Sequence, residues 1–105
     1  LPILPGISTA TELQSAWNMG LRTVKLFPAS LVGGPKMLKA LSSVFRDVRF
    51  MPTGGVNPAN LNEYLAVPAV LACGGSWLTP KDAIEAGDFA VITQLAKDAI
   101  AIAQS

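Results

Sequence analysis

A single lysine and two glycine pairs are the residues whose types and spacing could do chemistry. Thr-Gly-Gly at residues 53–55 follows one apolar run, and Gly-Gly-Ser at residues 74–76 follows the next. Glycines directly after strands let backbone N–H groups approach a bound anion, because no Cβ stands in the way. Lys25 lies inside an earlier apolar run. Together these features predict a phosphate-binding site beside a reactive lysine amine.

Four short apolar runs alternate with helical patterns and position these residues. The runs cover residues 1–4, 23–27, 48–51 and 69–73. Each is followed by apolar residues at helical spacing, and a further short helix is expected near residues 80–86. Near-continuous apolar strands between helices are typical of a parallel sheet covered by crossover helices. The pattern predicts one α/β unit over residues 1–105.

The repeated strand–helix unit favours a segment of a (β/α)8 barrel. A complete barrel needs at least ~200 residues, so we interpret the chain as a piece that supplies half of one. The runs at 1–4 and 69–73 would then be unpaired edges, covered by missing sequence or by a second copy of the chain. Phosphate often lies in the loops after the last two barrel strands. The glycine pairs therefore predict that 48–51 and 69–73 are strands seven and eight.

The ordinary explanation of a glycine pair is a tight turn that needs positive φ. For either pair alone we favour that explanation. Two pairs at equivalent points of successive units, each beside the hydroxyl of Thr53 or Ser76, favour phosphate binding instead. Gly33 and Gly34 lack a hydroxyl neighbour and precede a helix, so we interpret them as a turn.

Lys25 is predicted to face the barrel axis. Side chains alternate along a strand, so Thr23, Lys25 and Phe27 share one face, while Val24 and Leu26 face the helices. Burial disfavours the charged form of an amine. A neutral lysine can attack a ketone or aldehyde and form a Schiff base, which is an electron sink for carbon–carbon cleavage. The alternative is a lysine that pairs with a buried carboxylate or reaches out to the rim.

Composition excludes several other classes of function. The chain is 50% hydrophobic and 14% charged, with a net charge of +1, one cysteine and no histidine. The net charge is close to zero, and no segment gathers Lys and Arg together with aromatic residues. Both observations argue against a nucleic-acid partner. The lack of histidine excludes His-ligated metal sites and His-dependent triads. No apolar stretch reaches the ~20 residues that span a bilayer. We expect a cytoplasmic protein that needs no metal, cofactor or membrane.

A general acid or base is missing from the predicted site. Glu12 stands three residues after Thr9, which is the spacing of a capping box, so its carboxylate is expected to bind backbone N–H groups. The remaining acidic residues fall on helices or beside them: Asp47, Glu63, Asp82, Glu85, Asp88 and Asp98. An aldolase built on this chain would take its proton shuttle from outside these residues or from water.

Four motifs stand out along the chain: PGIST at residues 5–9, VKLFPA at 24–29, RFMPTGGV at 49–56 and GGSWL at 74–78. They closely resemble successive signatures of the 2-dehydro-3-deoxy-6-phosphogluconate (KDPG) aldolases, class I enzymes that also cleave 4-hydroxy-2-oxoglutarate. The similarity runs in order and spacing from residue 1 to the last helix. It implies the C-terminal half, strands five to eight, of a (β/α)8 TIM barrel of the class I aldolase type, and a homotrimer for the full-length protein.

The resemblance also implies roles for individual residues. Lys25 would be the Schiff-base lysine, Phe27 would pack beside the imine, and Thr53 would line the pyruvate end. The phosphate would be held by Gly54, Gly55, Gly75 and Ser76. The phosphorylated keto-acid substrate would be split into pyruvate and glyceraldehyde 3-phosphate, and 4-hydroxy-2-oxoglutarate into pyruvate and glyoxylate. The family's catalytic glutamate and carboxylate-binding arginine lie in the other half of the barrel, so the isolated 105 residues are expected to be inactive.

Two alternatives stay open at this point. The chain could belong to another phosphate-binding barrel, such as an isomerase or a relative of thiamine-phosphate synthase, in which Lys25 forms no imine. It could also be a non-catalytic half-barrel that binds sugar phosphates or serves only in assembly. Arg22, Arg46 and Arg49 occupy positions other than that of the family's substrate-binding arginine and are not assigned its role.

Overall fold

The computed structural model describes all 105 residues and contains a three-stranded parallel sheet with helices packed against it. In chain order the elements are β1 (Gly6–Ile7), α1 (Ala10–Asn18), β2 (Thr23–Leu26), α2 (Gly34–Val44), β3 (Arg49–Pro52), α3 (Leu61–Leu65), a 3-10 turn (Ser76–Leu78), α4 (Lys81–Glu85) and α5 (Phe89–Ala103). The strands pair in the order β1-β2-β3, all in parallel. The predicted α/β class and its parallel sheet are confirmed.

The core lies between one face of the sheet and helices α1, α2 and α3. Val24 and Leu26 of β2 and Phe50 of β3 are fully buried. They belong to one apolar cluster with residues of these helices: Leu13, Ala16, Leu38, Leu41, Leu61 and Tyr64. Lys25 and Met51, on the opposite face, are only partly buried. The predicted alternation along β2 is therefore confirmed, and Lys25 points away from the core.

Helix α1 begins at the predicted capping box. Thr9 is the N-cap, and its Oγ1 accepts a hydrogen bond from the Glu12 N–H at 3.1 Å. Glu12 Oε1 in turn accepts from the Ser8 N–H at 2.9 Å and from the Ser8 hydroxyl at 2.8 Å. These hydrogen bonds, that from the Ser8 N–H first, hold the pKa of Glu12 below its usual value. The carboxylate is occupied, as the sequence predicts.

The prediction of a strand at residues 1–4 is wrong, because pairing with the neighbouring strand begins only at Gly6. Leu1 and Ile3 are exposed, and β1 contains only Gly6–Ile7. The Lys25 N–H of β2 donates to the Pro5 carbonyl at 2.9 Å, and the Phe27 N–H just after β2 donates to the Ile7 carbonyl at 3.1 Å. Pro2 and Pro5 have no N–H to donate to a ladder. The apolar run therefore leads into the sheet without forming part of it.

The strand predicted at residues 69–73 is not continuous either. The segment runs beside β3 and forms two isolated parallel bridges, Phe50 with Val70 and Thr53 with Gly74. The register shifts by one residue between the two bridges. The sheet therefore has three strands and a bridged fourth segment in place of the four strands predicted.

Pro52 explains the interruption. The Phe50 N–H donates to the Ala69 carbonyl at 2.9 Å, and the Phe50 carbonyl accepts from the Leu71 N–H at 2.8 Å. The next donor in this parallel ladder would be residue 52, and proline has none. The Pro52 carbonyl instead accepts from the Gly74 N–H at 2.9 Å. A proline that looks like a strand end in the sequence thus shifts the pairing of its neighbour.

The later helices follow the predicted order. Residues 57–60 form a turn in which Asn57 Oδ1 accepts from the N–H groups of Ala59 and Asn60, and α3 begins only after it. The short helix predicted near residues 80–86 is α4. No residue of α5 is fully buried, although Ala99 and Ile102 pack against the core cluster. None of the helices combines the length and the apolar character needed to cross a membrane.

Candidate active site

Lys25 lies in the middle strand, where its backbone is held from both sides. It pairs with Gly6 of β1 and with Met51 of β3. Its N–H donates to the Pro5 carbonyl at 2.9 Å. On the other side, β2 is hydrogen-bonded to β3 through the Arg22 carbonyl, which accepts from the Arg49 N–H at 2.9 Å, and the Leu26 carbonyl, which accepts from the Thr53 N–H at 2.9 Å. The base of the lysine side chain is therefore well positioned.

The Lys25 amine has an aromatic neighbour and no carboxylate partner. Its Nζ lies 5.3 Å from the centroid of the Phe27 ring. The one ion pair of the chain joins Lys81 to Glu85, so no carboxylate oxygen stands within 4.0 Å of Lys25 Nζ. The alternative of a lysine paired with a buried carboxylate does not describe this structure.

The loop after β2 is bonded to the first glycine pair. The Ala29 N–H donates to the Thr53 carbonyl at 2.8 Å, and the Ser30 N–H donates to the Gly54 carbonyl at 3.1 Å. A Cβ on Gly55 would collide with the Ser30 side chain. Sequence reasoning did not single out Ser30, since nothing in its local sequence indicates a contact some 25 residues away. The structure thus places the lysine strand and the first glycine loop side by side.

Thr53 connects the first glycine pair to the second. It forms the parallel bridge with Gly74, and a Cβ on residue 74 would lie 2.6 Å from Thr53 Oγ1. That oxygen is buried and has no hydrogen-bond partner in the protein. Most buried polar atoms find a partner, so an unpaired hydroxyl is notable. The structure therefore leaves one buried polar group free beside the glycine loops.

The two glycine pairs are required for different reasons. Gly54 and Gly55 have φ of +101° and +74°, so the first pair is a tight turn of the kind that the ordinary explanation predicts. Gly75 has φ of −140°, which other residues adopt readily. A Cβ on Gly75 would nevertheless collide with the ring of Trp77. Positive φ thus explains the first pair, whereas close packing explains the second.

Four backbone donors of these loops remain free. The N–H groups of Gly54, Gly55, Gly75 and Ser76 donate to no acceptor in the protein. Unpaired N–H groups in successive loop residues form concave sites for anions. The two loops are held together by the bridge between residues 53 and 74. The structure thus places four unpaired N–H groups in two neighbouring loops.

The acidic residues leave the site without a free carboxylate. Glu12 lies in the first turn of α1 and is bound in the helix cap. Other acids bond within their own helices, among them Glu85 with Lys81 and Asp98 with Gln94. No group of three or more His, Cys, Asp or Glu side chains is gathered that could hold a metal ion. The chemistry of this site rests on an amine, a hydroxyl and backbone donors.

Fold and site together define an α/β protein with a lysine and glycine loops that carry free backbone N–H groups on neighbouring parallel strands. Residues 1–95 match the family model described as KDPG and KHG aldolase. The chain therefore belongs to the KDPG and KHG aldolase family, and the family resemblance of its motifs is confirmed.

Individual relatives support this assignment. The KHG/KDPG aldolase of Escherichia coli K12 is 52% identical over 100 residues, which cover 95% of this chain and 47% of the relative. KDPG aldolase from Legionella pneumophila, solved with pyruvate captured as a covalent carbinolamine intermediate, superposes with a TM-score of 0.89 at 43% identity over 97% of this chain and 48% of that one. The Zymomonas mobilis ZM4 enzyme with 3-phosphoglycerate gives 0.83 at 45% identity over 91% and 44%. The chain spans about half the length of these relatives.

Proposed function

We propose that this chain supplies the Schiff-base lysine and the phosphate-binding loops of a class I aldolase that cleaves KDPG to pyruvate and glyceraldehyde 3-phosphate. The observation that carries the proposal is the position of Lys25 Nζ, an amine without a carboxylate partner on the uncovered face of the sheet. A carbinolamine forms when an amine adds to a carbonyl, and the Legionella relative was captured with pyruvate in that form.

The reaction would proceed through an imine on Lys25. Nζ adds to the ketone carbon of the keto acid, and the carbinolamine loses water to form the imine. A base or water from outside these residues then takes the proton of the C4 hydroxyl, whose oxygen becomes the aldehyde carbonyl. The C3–C4 bond breaks, its electron pair moves to the protonated imine nitrogen, and the aldehyde departs. The remaining enamine takes up a proton, and hydrolysis releases pyruvate and restores the amine. The Phe27 ring, 5.3 Å from Nζ, offers its face to the cationic nitrogen.

The glycine loops would hold the other end of the substrate. The free N–H groups of Gly54, Gly55, Gly75 and Ser76 are suited to phosphate oxygens, and the Ser76 hydroxyl is exposed beside them. The Zymomonas relative was solved with a phosphorylated three-carbon acid. The unpaired hydroxyl of Thr53 can donate to the keto-acid end. These contacts would fix the distance between the phosphate and the reacting ketone.

We infer a second substrate, 4-hydroxy-2-oxoglutarate, because the E. coli relative carries both substrates in its name. This keto acid would be cleaved to pyruvate and glyoxylate. It has no phosphate, so it would use Lys25 and Thr53 without the glycine loops. Comparing the cleavage rates of the two substrates therefore distinguishes the contribution of the Lys25 amine from that of the glycine loops.

We also propose that the chain is the C-terminal half of a (β/α)8 barrel, with β1, β2, β3 and the bridged segment 69–74 as strands five to eight. The parallel order and the relatives of twice the length support this. The carboxylates of the chain are bound elsewhere or lie on helices or in the turns beside them, so the proton shuttle and the group that binds the substrate carboxylate would come from outside it. The isolated chain is expected to be inactive. A homotrimer in the cytoplasm belongs to the same proposal, and sedimentation of the longer protein tests the trimer.

Borohydride trapping tests the amine. The longer protein that carries this chain is reduced in the presence of pyruvate and then mapped by peptide mass. We expect the adduct on the peptide that contains Lys25, loss of the adduct in Lys25→Met, and an unchanged adduct in the matched exposed control Lys36→Met. An active enzyme whose Lys25 peptide stays unmodified would contradict the proposal. Thermal protection by phosphate without any adduct would instead indicate a binding module.

A further inference from the structure

Two arginines line an open groove at the opposite end of the strands from the glycine loops. The groove has a volume of about 380 Å³ and is lined by Ser42, Arg46, Val48, Arg49, Pro68 and Ala69. Arg49 begins β3. Thr53 follows four residues later, so at a rise of ~3.3 Å per residue the two ends of this strand are about 13 Å apart. The groove is therefore separate from the candidate active site.

Neither guanidinium group in the groove is engaged by the protein. Arg46 and Arg49 are exposed, donate no side-chain hydrogen bond and have no carboxylate within 4.0 Å. No acidic residue lines the groove, and Asp47 lies outside its lining although it stands between the two arginines in sequence. Arg22 is different, because its Nη1 donates to the Trp17 carbonyl at 3.0 Å and its guanidinium lies over the ring of the same residue. The two groove arginines are the ones left free.

The negative end of the α2 helix dipole explains a positive charge at Arg46 but not at Arg49. Arg46 follows the end of α2 by two residues, where a positive charge complements the helix dipole. Arg49 lies on the next strand and lines the same groove from another element. Ala69 also lines the groove, and its N–H donates to no acceptor in the protein. Two cationic residues thus line a groove that has no acidic residue in its lining.

We propose that this groove binds a small phosphate-type dianion, either inorganic phosphate or a phosphate monoester, between Arg46 and Arg49. The planar fork of a guanidinium matches the geometry of phosphate and forms charge-assisted hydrogen bonds that are stronger than neutral ones. The volume of the groove admits a phosphate with a small organic group attached. The lining residues come from α2, from β3, from the turn between them and from the start of the bridged segment beside β3. None of them takes part in the proposed aldolase reaction, so the inference is independent of that activity.

Nuclear magnetic resonance of the arginine Nε–Hε groups tests this site directly. The longer protein that carries this chain is titrated with inorganic phosphate while sodium chloride is reduced to keep the ionic strength constant. We expect the signals of Arg46 and Arg49 to shift along one saturating curve while Arg22 stays still as an internal control. A phosphate monoester such as glycerol phosphate should give the same pattern. Amide signals of Gly54, Gly55 and Gly75 report the other candidate phosphate site separately.

Matched variants complete the test. In Arg46→Gln/Arg49→Gln the saturating shift of the Ala69 amide should disappear or require at least tenfold more phosphate, whereas Lys36→Gln should leave it unchanged. Dispersed amide spectra verify that both variants are folded. The proposal would be overturned if the signals of all three arginines shifted equally, or if the shifts grew linearly without saturation. Either result would show that Arg46 and Arg49 are ordinary solvated charges.

Discussion

Thr53 packs directly against Gly74 across the parallel bridge that joins the two glycine loops. A Cβ on residue 74 would lie 2.6 Å from Thr53 Oγ1, a separation that side chains do not tolerate. The same contact leaves Oγ1 buried and without a partner. One pair of residues therefore sets the spacing of the loops and holds a free hydroxyl beside them.

Gly74→Ala should destabilise the protein through this contact. Forcing a methyl group into a packed site typically costs about 1–3 kcal/mol in the free energy of unfolding. The cost should be smaller in a Thr53→Ala background, where Oγ1 and Cγ2 are gone. Urea unfolding of the two single variants and the double variant measures the coupling. Gly6→Ala is the matched control, because a Cβ there meets nothing within 4 Å. Strictly additive free energies would contradict the contact.

Ser76→Pro should weaken phosphate binding more than Ser76→Ala. Alanine removes only the hydroxyl, whereas proline also removes the free N–H. Residue 76 is the first of a helical turn, and Gly75 has φ of −140° and ψ of 114°, which suit a residue before proline. A hydrogen bond to a charged group is worth about 1.5–3 kcal/mol, so KM for KDPG should rise roughly tenfold or more.

The unphosphorylated substrate is the control for that comparison. Cleavage of 4-hydroxy-2-oxoglutarate by the longer protein that carries this chain should be nearly unchanged in Ser76→Pro. Equal losses on both substrates would mean that the backbone had been disturbed. A KM for KDPG that matched the value of Ser76→Ala would show that the N–H does not bind the phosphate.

Glu12 should make stability depend on pH. The hydrogen bonds from Ser8 and Thr9 lower the pKa of Glu12 in the folded state. The unfolded state then binds more protons, so the contribution is present above the ordinary glutamate pKa of about 4.3 and is lost as pH falls through the lower folded value. Thermal melts of the protein and of Glu12→Gln should differ most near pH 7 and converge toward pH 3.

Glu63→Gln serves as the matched control for the cap, because Glu63 is exposed and its carboxylate accepts no hydrogen bond. Melts of this variant at the same pH values measure the effect of removing one exposed negative charge that takes no part in a cap. If Glu12→Gln melted with the parent at every pH, the capping box would contribute nothing measurable to stability.

Cys73 should be unreactive in the folded protein. Burial raises the pKa of the Cys73 thiol to about 11. The thiolate is the reactive form, so alkylation by iodoacetamide at pH 8 should be roughly 100-fold slower than for a free cysteine of pKa about 8.5. The comparison is the rate for the same protein in urea. The raised pKa also means that stability falls as pH rises above about 8.5, and Cys73→Ser should lessen that slope.

Several features of the fold and the site could be predicted because they depend only on residues that are close in sequence. The capping box of Thr9 and Glu12 closes within one turn of helix, and the outward position of Lys25 follows from strand alternation alone. The positive φ of Gly54 and Gly55 follows from the demands of a tight turn. Such features need no knowledge of the rest of the fold.

The predictions that were wrong concern pairing between distant segments. Residues 1–4 and 69–73 are as apolar as strands, and only the ladder decides whether they join one. Pro52 removes the donor on which the segment from residue 69 depended, and the register slips by one residue before Thr53 meets Gly74. Local composition carries no information about that slip.

The amino-acid sequence by itself determined the alternation of strands and helices, the caps, and the residue types available for chemistry, since these follow from periodicity and contacts within a few residues. Only the tertiary structure decided which donors remain free. The unpaired N–H groups at residues 54, 55, 75 and 76, the isolated amine of Lys25 and the two unengaged arginines of the groove each depend on which distant groups come within hydrogen-bond reach. That proximity is set by sheet register and helix packing, which no local segment specifies.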